Sequence, residues 1–192
     1  MIDLTPTTDQ VSELVARIRE DQLDGPTPCD EMPVRQLLSH LHGLSIAFRD
    51  AARKIDGPTT SSAPDPAITP LPDNWQVTIP TALAELADAW QDPAAWQGMT
   101  KAGGQQMPGD VTGVVALDEV TLHGWDLAAA TGQSYAVAPE ALDAVEQFCA
   151  QVPEDPEARG GLFGPRVAVA HDAPQLHRVL GLAGRDPAWT AG

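Results

Sequence analysis

One run of residues limits the fold of this chain more than any other. Asp110 to Thr131 reads as a single helix, and its buried face is not purely apolar. Val115, Leu122 and Asp126 form a stripe at seven- and four-residue steps, and Glu119 falls inside it. Glu119 and His123 stand four residues apart, and Asp126 follows His123 by three, so all three side chains stack on one side of a helix with 3.6 residues per turn. Burying such groups without partners costs roughly several kcal/mol each. Something must satisfy them, and a metal ion is the simplest candidate.

Composition narrows the classes of function. A chain of 192 residues is long enough for one domain with a sizeable core, or for a domain with a small appendage. The formal net charge of −16, from 27 acidic and 11 basic residues, argues against nucleic acid and against an anionic membrane surface as partners. No apolar run reaches the ~18 residues of a membrane span. The start, Met1-Ile-Asp-Leu-Thr-Pro6, has neither the basic nor the apolar region of a signal peptide. Cys29 and Cys149 are the only cysteines, and in a chain read as lacking an export signal they are expected to be reduced. The expected location is the cytoplasm.

The rest of the chain is read as helices separated by proline and glycine. A first helix is expected over 6–21, with Thr5 or Thr7 as cap and Val11, Leu14, Val15 and Ile18 inward. A second is expected over 33–54, with Asp30 and Glu31 favourably placed for its dipole and Val34, Leu37, Leu38, Leu41, Ser45 and Phe48 as its stripe. The prolines of 57–72 favour extended chain; a plain linker is the simpler reading, and a flap over a pocket mouth the functional one. A third helix is expected over 78–90, reaching towards Trp96, with Ile79, Leu83, Leu86 and Trp90 buried and the tryptophans filling core. Lys101 to Gly109 reads as a glycine-rich turn that fits no phosphate-binding fingerprint. Beyond the helix that ends at Gly132, further helices are expected over 139–151 and 173–182, the last capped by Asp172, with Val167–Ala170 as a brief strand. The fold class is all-α: an up-and-down four-helix bundle over 1–134 with a small helical C-terminal extension, 135–192.

Bundles of this kind build metal sites from inward side chains on facing helices. Helix four offers Glu119 and His123. Helix two offers His40 or His42, which flank its stripe on opposite sides, so periodicity does not choose between them. Two imidazoles and a carboxylate suit zinc with an open fourth position, and also nickel or ferrous iron. Asp126 could hold the far nitrogen of His123 instead of the metal. The competing reading of Glu119 and His123 is an intrahelical ion pair worth only about 0.3–0.5 kcal/mol.

Four stretches carry a family resemblance: Thr27-Pro-Cys-Asp-Glu-Met-Pro-Val-Arg-Gln-Leu-Leu-Ser-His40-Leu41, Asp118-Glu-Val-Thr-Leu-His123-Gly-Trp-Asp-Leu-Ala128, Gly164-Pro-Arg-Val-Ala-Val169, and Gly184-Arg-Asp-Pro-Ala-Trp189. Together they resemble the actinobacterial branch of the DinB-like superfamily, close to the mycothiol-dependent maleylpyruvate isomerases. The resemblance implies a DinB-like bundle with metal ligands at His40, Glu119 and His123, and transfers no role to His42. It implies a divalent metal, zinc first, that activates a mycothiol-like thiol as cosubstrate for attack on a small electrophile, in S-transfer or thiol-assisted isomerisation. Asp126 is then the catalytic-site residue that orients a ligand or positions the thiol. Residues 135–192 are shorter than the substrate domain of those isomerases, so maleylpyruvate as substrate is not carried over. A regulatory or interaction bundle that keeps the metal without catalysis is the alternative. A homodimer is compatible with the resemblance, and nothing in the sequence specifies one.

Overall fold

The computed structural model describes residues 1–29, 32–155, 159 and 163–191. Four helices make the core: α1 (Thr5–Arg17), α2 (Val34–Ala52), α4 (Trp75–Trp90) and α5 (Gly109–Thr131). Their main contacts run α1–α4–α2–α5 and back to α1, a closed ring in which α2 and α5 are neighbours. The expected stripes meet at its centre, where Leu14, Ile18, Leu37, Leu38, Leu41, Ile79, Leu83, Leu86, Trp90 and Leu117 are fully buried. The fold is therefore an all-α four-helix bundle, to which α6 (Pro139–Gln151), α7 (Gln175–Leu182) and a small hairpin are added. No helix among the described residues is long and apolar enough to cross a membrane.

α5 is enclosed on every side between Ala116 and Ala128, where only Glu119 keeps appreciable exposure. α1 and α2 cover two flanks, and α6 packs on a third. A helix hidden all round cannot be amphipathic. On the α6 side lies a carboxyl that periodicity did not single out: Asp118, buried, which accepts a bond from the Cys149 thiol at 3.3 Å. Burial first, then the neighbouring Glu119, pushes its pKa up to about 7.

Several sequence expectations are corrected. α1 stops at Arg17, and a separate 3-10 turn follows at Glu20–Gln22. Its first turn is capped by neither Thr5 nor Thr7; the Asp3 carboxylate takes the Thr5 N–H at 2.9 Å. α4 begins at Trp75, three residues early, and carries Pro80 within it. Lys101–Gly109 is more than a turn: β1 (Met99–Ala102) pairs antiparallel with β2 (Gln105–Pro108), Met99 opposite Pro108. Gly103 and Gly104 at the tip both have positive φ, as the tight two-residue hairpin turn demands. Val167–Ala170 does not pair as a strand but runs along α7, with the Val167 N–H on the Gly181 carbonyl. α7 starts after Pro174, so Asp172 is not its cap. Asp30 and Glu31 lie outside the described residues.

The proline-rich segment is not a plain linker. It opens with a short helix, α3 (Pro58–Ser61), and then lies along α2. The Ser39 hydroxyl donates to the Thr69 carbonyl at 2.8 Å, and Pro64 packs where a β-carbon on Gly43 would come within 2.6 Å of it. Gly43→Ala should therefore lift this segment from α2 and cost about 1–3 kcal/mol, the usual range for overpacking. Thermal unfolding should show a Tm several degrees lower, and an unchanged Tm would mean that Pro64 does not hold the segment in place.

Candidate metal centre

The ring order sets α2 beside α5, and this brings His40 to the face of α5 that carries Glu119 and His123. The two imidazole rings meet edge to face, 5.2 Å between centroids. His123 Nε2 lies 3.1 Å from Glu119 Oε2, the contact expected of an i, i+4 pair. One ligand atom from each of His40, Glu119 and His123 can be chosen so that all three lie within 4.8 Å of one another. His42 enters no such group among the described residues.

What holds the imidazoles is as telling as their convergence. His40 Nδ1 is 3.2 Å from the Pro64 carbonyl, supplied by the proline-rich segment. A carbonyl only accepts, so Nδ1 carries the hydrogen and the neutral ring keeps its lone pair on Nε2. His123 Nδ1 is 3.0 Å from Asp126 Oδ2, and its Nε2 is thereby turned towards Glu119. Both rings thus have the arrangement of metal-ligating histidines, one nitrogen fixed by an outer acceptor and the other turned to the site.

Asp126 has no exposed side-chain surface, and its oxygens are taken by two partners. The second is Arg185, in the segment after α7. Its Nη2 lies 3.1 Å from Oδ2 and its Nε 3.4 Å from Oδ1, while Nη1 donates to the Ala183 carbonyl at 3.1 Å. Sequence reasoning gave Arg185 no role. The available signals were its place in the fourth resemblance stretch and the need of a buried Asp126 for a second partner.

The electrostatics suit a cation. Burial works against a charged His123, but its bonds to Asp126 and Glu119 prevail and push its pKa up to about 9. Burial also acts to raise both carboxyls, yet His123 brings Glu119 below its ordinary value, and Arg185 with His123 does the same for Asp126. Burial, then the charge on His123, lowers the pKa of His40. Burial opposes the charge on Arg185, and Asp126 overcomes it. The two carboxylates beside His123 thus favour positive charge at the point where a metal would supply it. The nitrogen and oxygen donors, with their outer acceptors in place, fit a divalent metal.

The donors open on a cavity of about 670 Å³ whose wall includes Cys29, Gln36, Asp65, Phe163 and Arg185. Among the described residues, the grooves elsewhere carry no comparable convergence of ligand atoms.

Fold and site together define a DinB-like helical bundle with a candidate metal centre between facing helices. The chain belongs to the mycothiol maleylpyruvate isomerase N-terminal domain family, whose model matches residues 4–128. Two uncharacterized proteins of Mycobacterium tuberculosis, Rv0738 of strain H37Rv and MT0763 of strain CDC 1551, are each 34% identical to it over 143 residues, 74% of this chain and 71% of theirs. Crystal structures of the mycothiol-dependent maleylpyruvate isomerase and of a histidine-to-alanine mutant of it are similar in fold, with TM-scores of 0.57 and 0.59 at 18% and 16% identity. The likeness covers 77% of this chain and 67% of theirs.

Proposed function

We propose that this protein holds one divalent metal, zinc in the first place, through His40, Glu119 and His123, and uses it to present a mycothiol-like low-molecular-weight thiol to a small electrophile. The reaction class is S-transfer or thiol-dependent isomerisation, and the setting is cytoplasmic. The observation that carries this reading is the engagement of both Nδ1 atoms, which leaves two Nε2 atoms and one carboxylate for a single ion. A bound metal would lower the pKa of a coordinated thiol so that it reacts as thiolate near neutral pH. The chain's own contribution is positional. Pro64 sets the tautomer of His40, Asp126 sets that of His123, and Arg185 fixes Asp126. The cavity gives the two small molecules room.

We assign the metal-binding unit to residues 1–134 and read 135–192 as an extension packed on it. The reach of Arg185 into the bundle and the end of the family match near residue 128 support that division.

Elemental analysis of protein purified without added salts is the first test, with about one zinc, nickel or iron per chain expected. Consumption of mycothiol, measured beside other small thiols with a panel of electrophiles, is the second. Metal without thiol turnover would favour a non-catalytic bundle, and protein that takes up no metal would refute the reading. Asp126→Ala should weaken metal affinity about 10–100-fold, the usual cost of losing an outer hydrogen-bond partner. Competition with a chromophoric chelator measures it, and an unchanged affinity would remove Asp126 from the role of orienting His123.

A further inference from the structure

The charges around the cavity decide which electrophile it can accept. Besides the two imidazoles, Glu119, Asp65 and Arg185 are the titratable oxygen and guanidinium groups on its wall. Arg185 is already spent. Its Nη2 and Nε bind Asp126, its Nη1 donates to the Ala183 carbonyl, and only 10% of its side chain is exposed. Outside the described residues, positions 30–31, 156–158, 160–162 and 192 hold no lysine, arginine or histidine, so they supply no further cation. Glu119 is matched as well. With a divalent ion held by neutral His40 and His123, the charges of Glu119 and of a bound thiolate balance the ion. The floor of the cavity is then left without net charge.

The unbalanced charge is Asp65, exposed at the rim. Its Oδ1 accepts the Ala67 N–H at 2.9 Å and its carbonyl accepts the Thr69 N–H at 3.1 Å, so the carboxylate is set in a turn of the proline-rich segment. Elsewhere the wall offers apolar surface from Met32, Pro66, Leu122 and Phe163. Phe163 comes from the extension, and its ring is held in place. It meets Phe148 edge to face at 6.3 Å between centroids, and the Arg159 guanidinium lies 5.6 Å from its centroid. These features sort the electrophiles. A carboxylate would meet Asp65 at the rim and find the one guanidinium inside already bound to Asp126. Burying it unpaired is strongly unfavourable. A cationic group would gain only the exposed Asp65, and exposed ion pairs are worth little. An uncharged apolar body meets matching surface.

We infer that the electrophile taken by this cavity is uncharged and largely apolar, received against Phe163, and that Asp65 turns carboxylated molecules away. This rests on the thiol-transfer reading above and names the substrate class for it. In transfer to an aryl chloride, the thiolate sulfur forms the bond to carbon and chloride leaves with the bonding pair. The proton that the thiol lost on binding passes to solvent, and nothing is oxidised.

The test uses the zinc-loaded full chain saturated with mycothiol, and two pairs of molecules that differ by one carboxylate. Meta-dinitrobenzene and the matching dinitrobenzoate lack a leaving group, and equilibrium dialysis measures their binding. The neutral member should bind roughly tenfold more tightly, the effect of an uncompensated like charge at close range. The gap should narrow about threefold in Asp65→Asn, which keeps the acceptor for the Ala67 N–H, and should also narrow in wild type as salt is raised. Phe163→Ala should weaken the neutral member about threefold through lost apolar contact. Zinc content should be equal in all three proteins. Chlorodinitrobenzene and chlorodinitrobenzoate react, and their kcat/KM values, each divided by the uncatalysed rate constant with the same thiol, should show the same order. Equal binding of the two unreactive members, binding of neither, or a gap indifferent to Asp65→Asn overturns the inference. Mycothiol consumption with equal use of both reactive members also overturns it and leaves the reaction class standing. Selective binding without mycothiol consumption supports the selectivity of the cavity and overturns the reaction proposed above.

Discussion

His123→Ala should empty the metal site and leave the bundle folded. At a free zinc concentration a hundredfold above Kd, binding to the native state contributes about 2.7 kcal/mol of stability. For a chain of this size that raises Tm by about 5–10 °C. Wild type should show this rise; His123→Ala should show none, should purify without metal and should consume no thiol. His123 meets Glu119 through one ring nitrogen and Asp126 through the other, and among the described residues it alone joins His40 and Glu119 in a donor group. The fold should persist because Asp126 keeps Arg185, and Glu119 borders the cavity where water can reach it. Without metal the variant should lie within about 1–3 kcal/mol of wild type, the ordinary range for a buried substitution. His42→Ala is the control and should keep both the metal and the zinc-dependent rise in Tm. Far-UV circular dichroism and elemental analysis on the same samples separate loss of site from loss of fold, and stoichiometric metal in His123→Ala would refute the ligand assignment.

Those features were legible in the sequence that repeat along one helix. Leu37, Leu38 and Leu41 on α2, and Ile79, Leu83 and Leu86 on α4, recur at helical spacing and do meet in the core. Glu119, His123 and Asp126 share one side of α5 because three- and four-residue steps leave them no other arrangement. What periodicity could not settle was decided by contacts between segments distant in the chain. His40 and His42 were equivalent by angle, and the Pro64 carbonyl and the His123 ring distinguish them. The prolines of 57–72 rightly excluded a long helix, but nothing local told that Pro64 would lie in the notch left by Gly43. The hairpin is not legible in periodicity because its strands have only four residues each and carry Lys101, Gln105 and Gln106 among them; its two glycines are the visible sign of it. Asp118 lies about 100° round α5 from Glu119, and the arrival of α6 with Cys149 explains why a carboxyl is buried there.

The bond between Arg185 and Asp126 spans 59 residues and joins the extension to the site, so cutting it should have the largest effect on stability. Arg185→Ala leaves a fully buried carboxylate with His123 as its remaining charged partner. Removing one partner of a buried ion pair costs about 3–5 kcal/mol, because the survivor keeps its desolvation penalty and loses what offset it. The pair is deeply placed, with side-chain exposures of 10% and 0%, so solvent screening relieves little of that cost. Tm should fall by about 6–20 °C. The cost belongs to the stranded charge rather than to lost packing, and a second substitution can show this. In Arg185→Ala/Asp126→Asn the buried group is neutral, its oxygen still accepts from His123 Nδ1, and part of the lost stability should return. If Asp126→Asn instead lowers Tm by the same amount in the wild-type and Arg185→Ala backgrounds, the two residues do not act as a pair. Metal affinity should follow a different order from stability. The double variant keeps an acceptor on His123 and should bind metal more tightly than any variant that removes that acceptor, such as Asp126→Ala. A chelator titration read beside thermal unfolding would therefore separate the two functions of one carboxylate, anchoring the extension through Arg185 and aiming His123 at the ion.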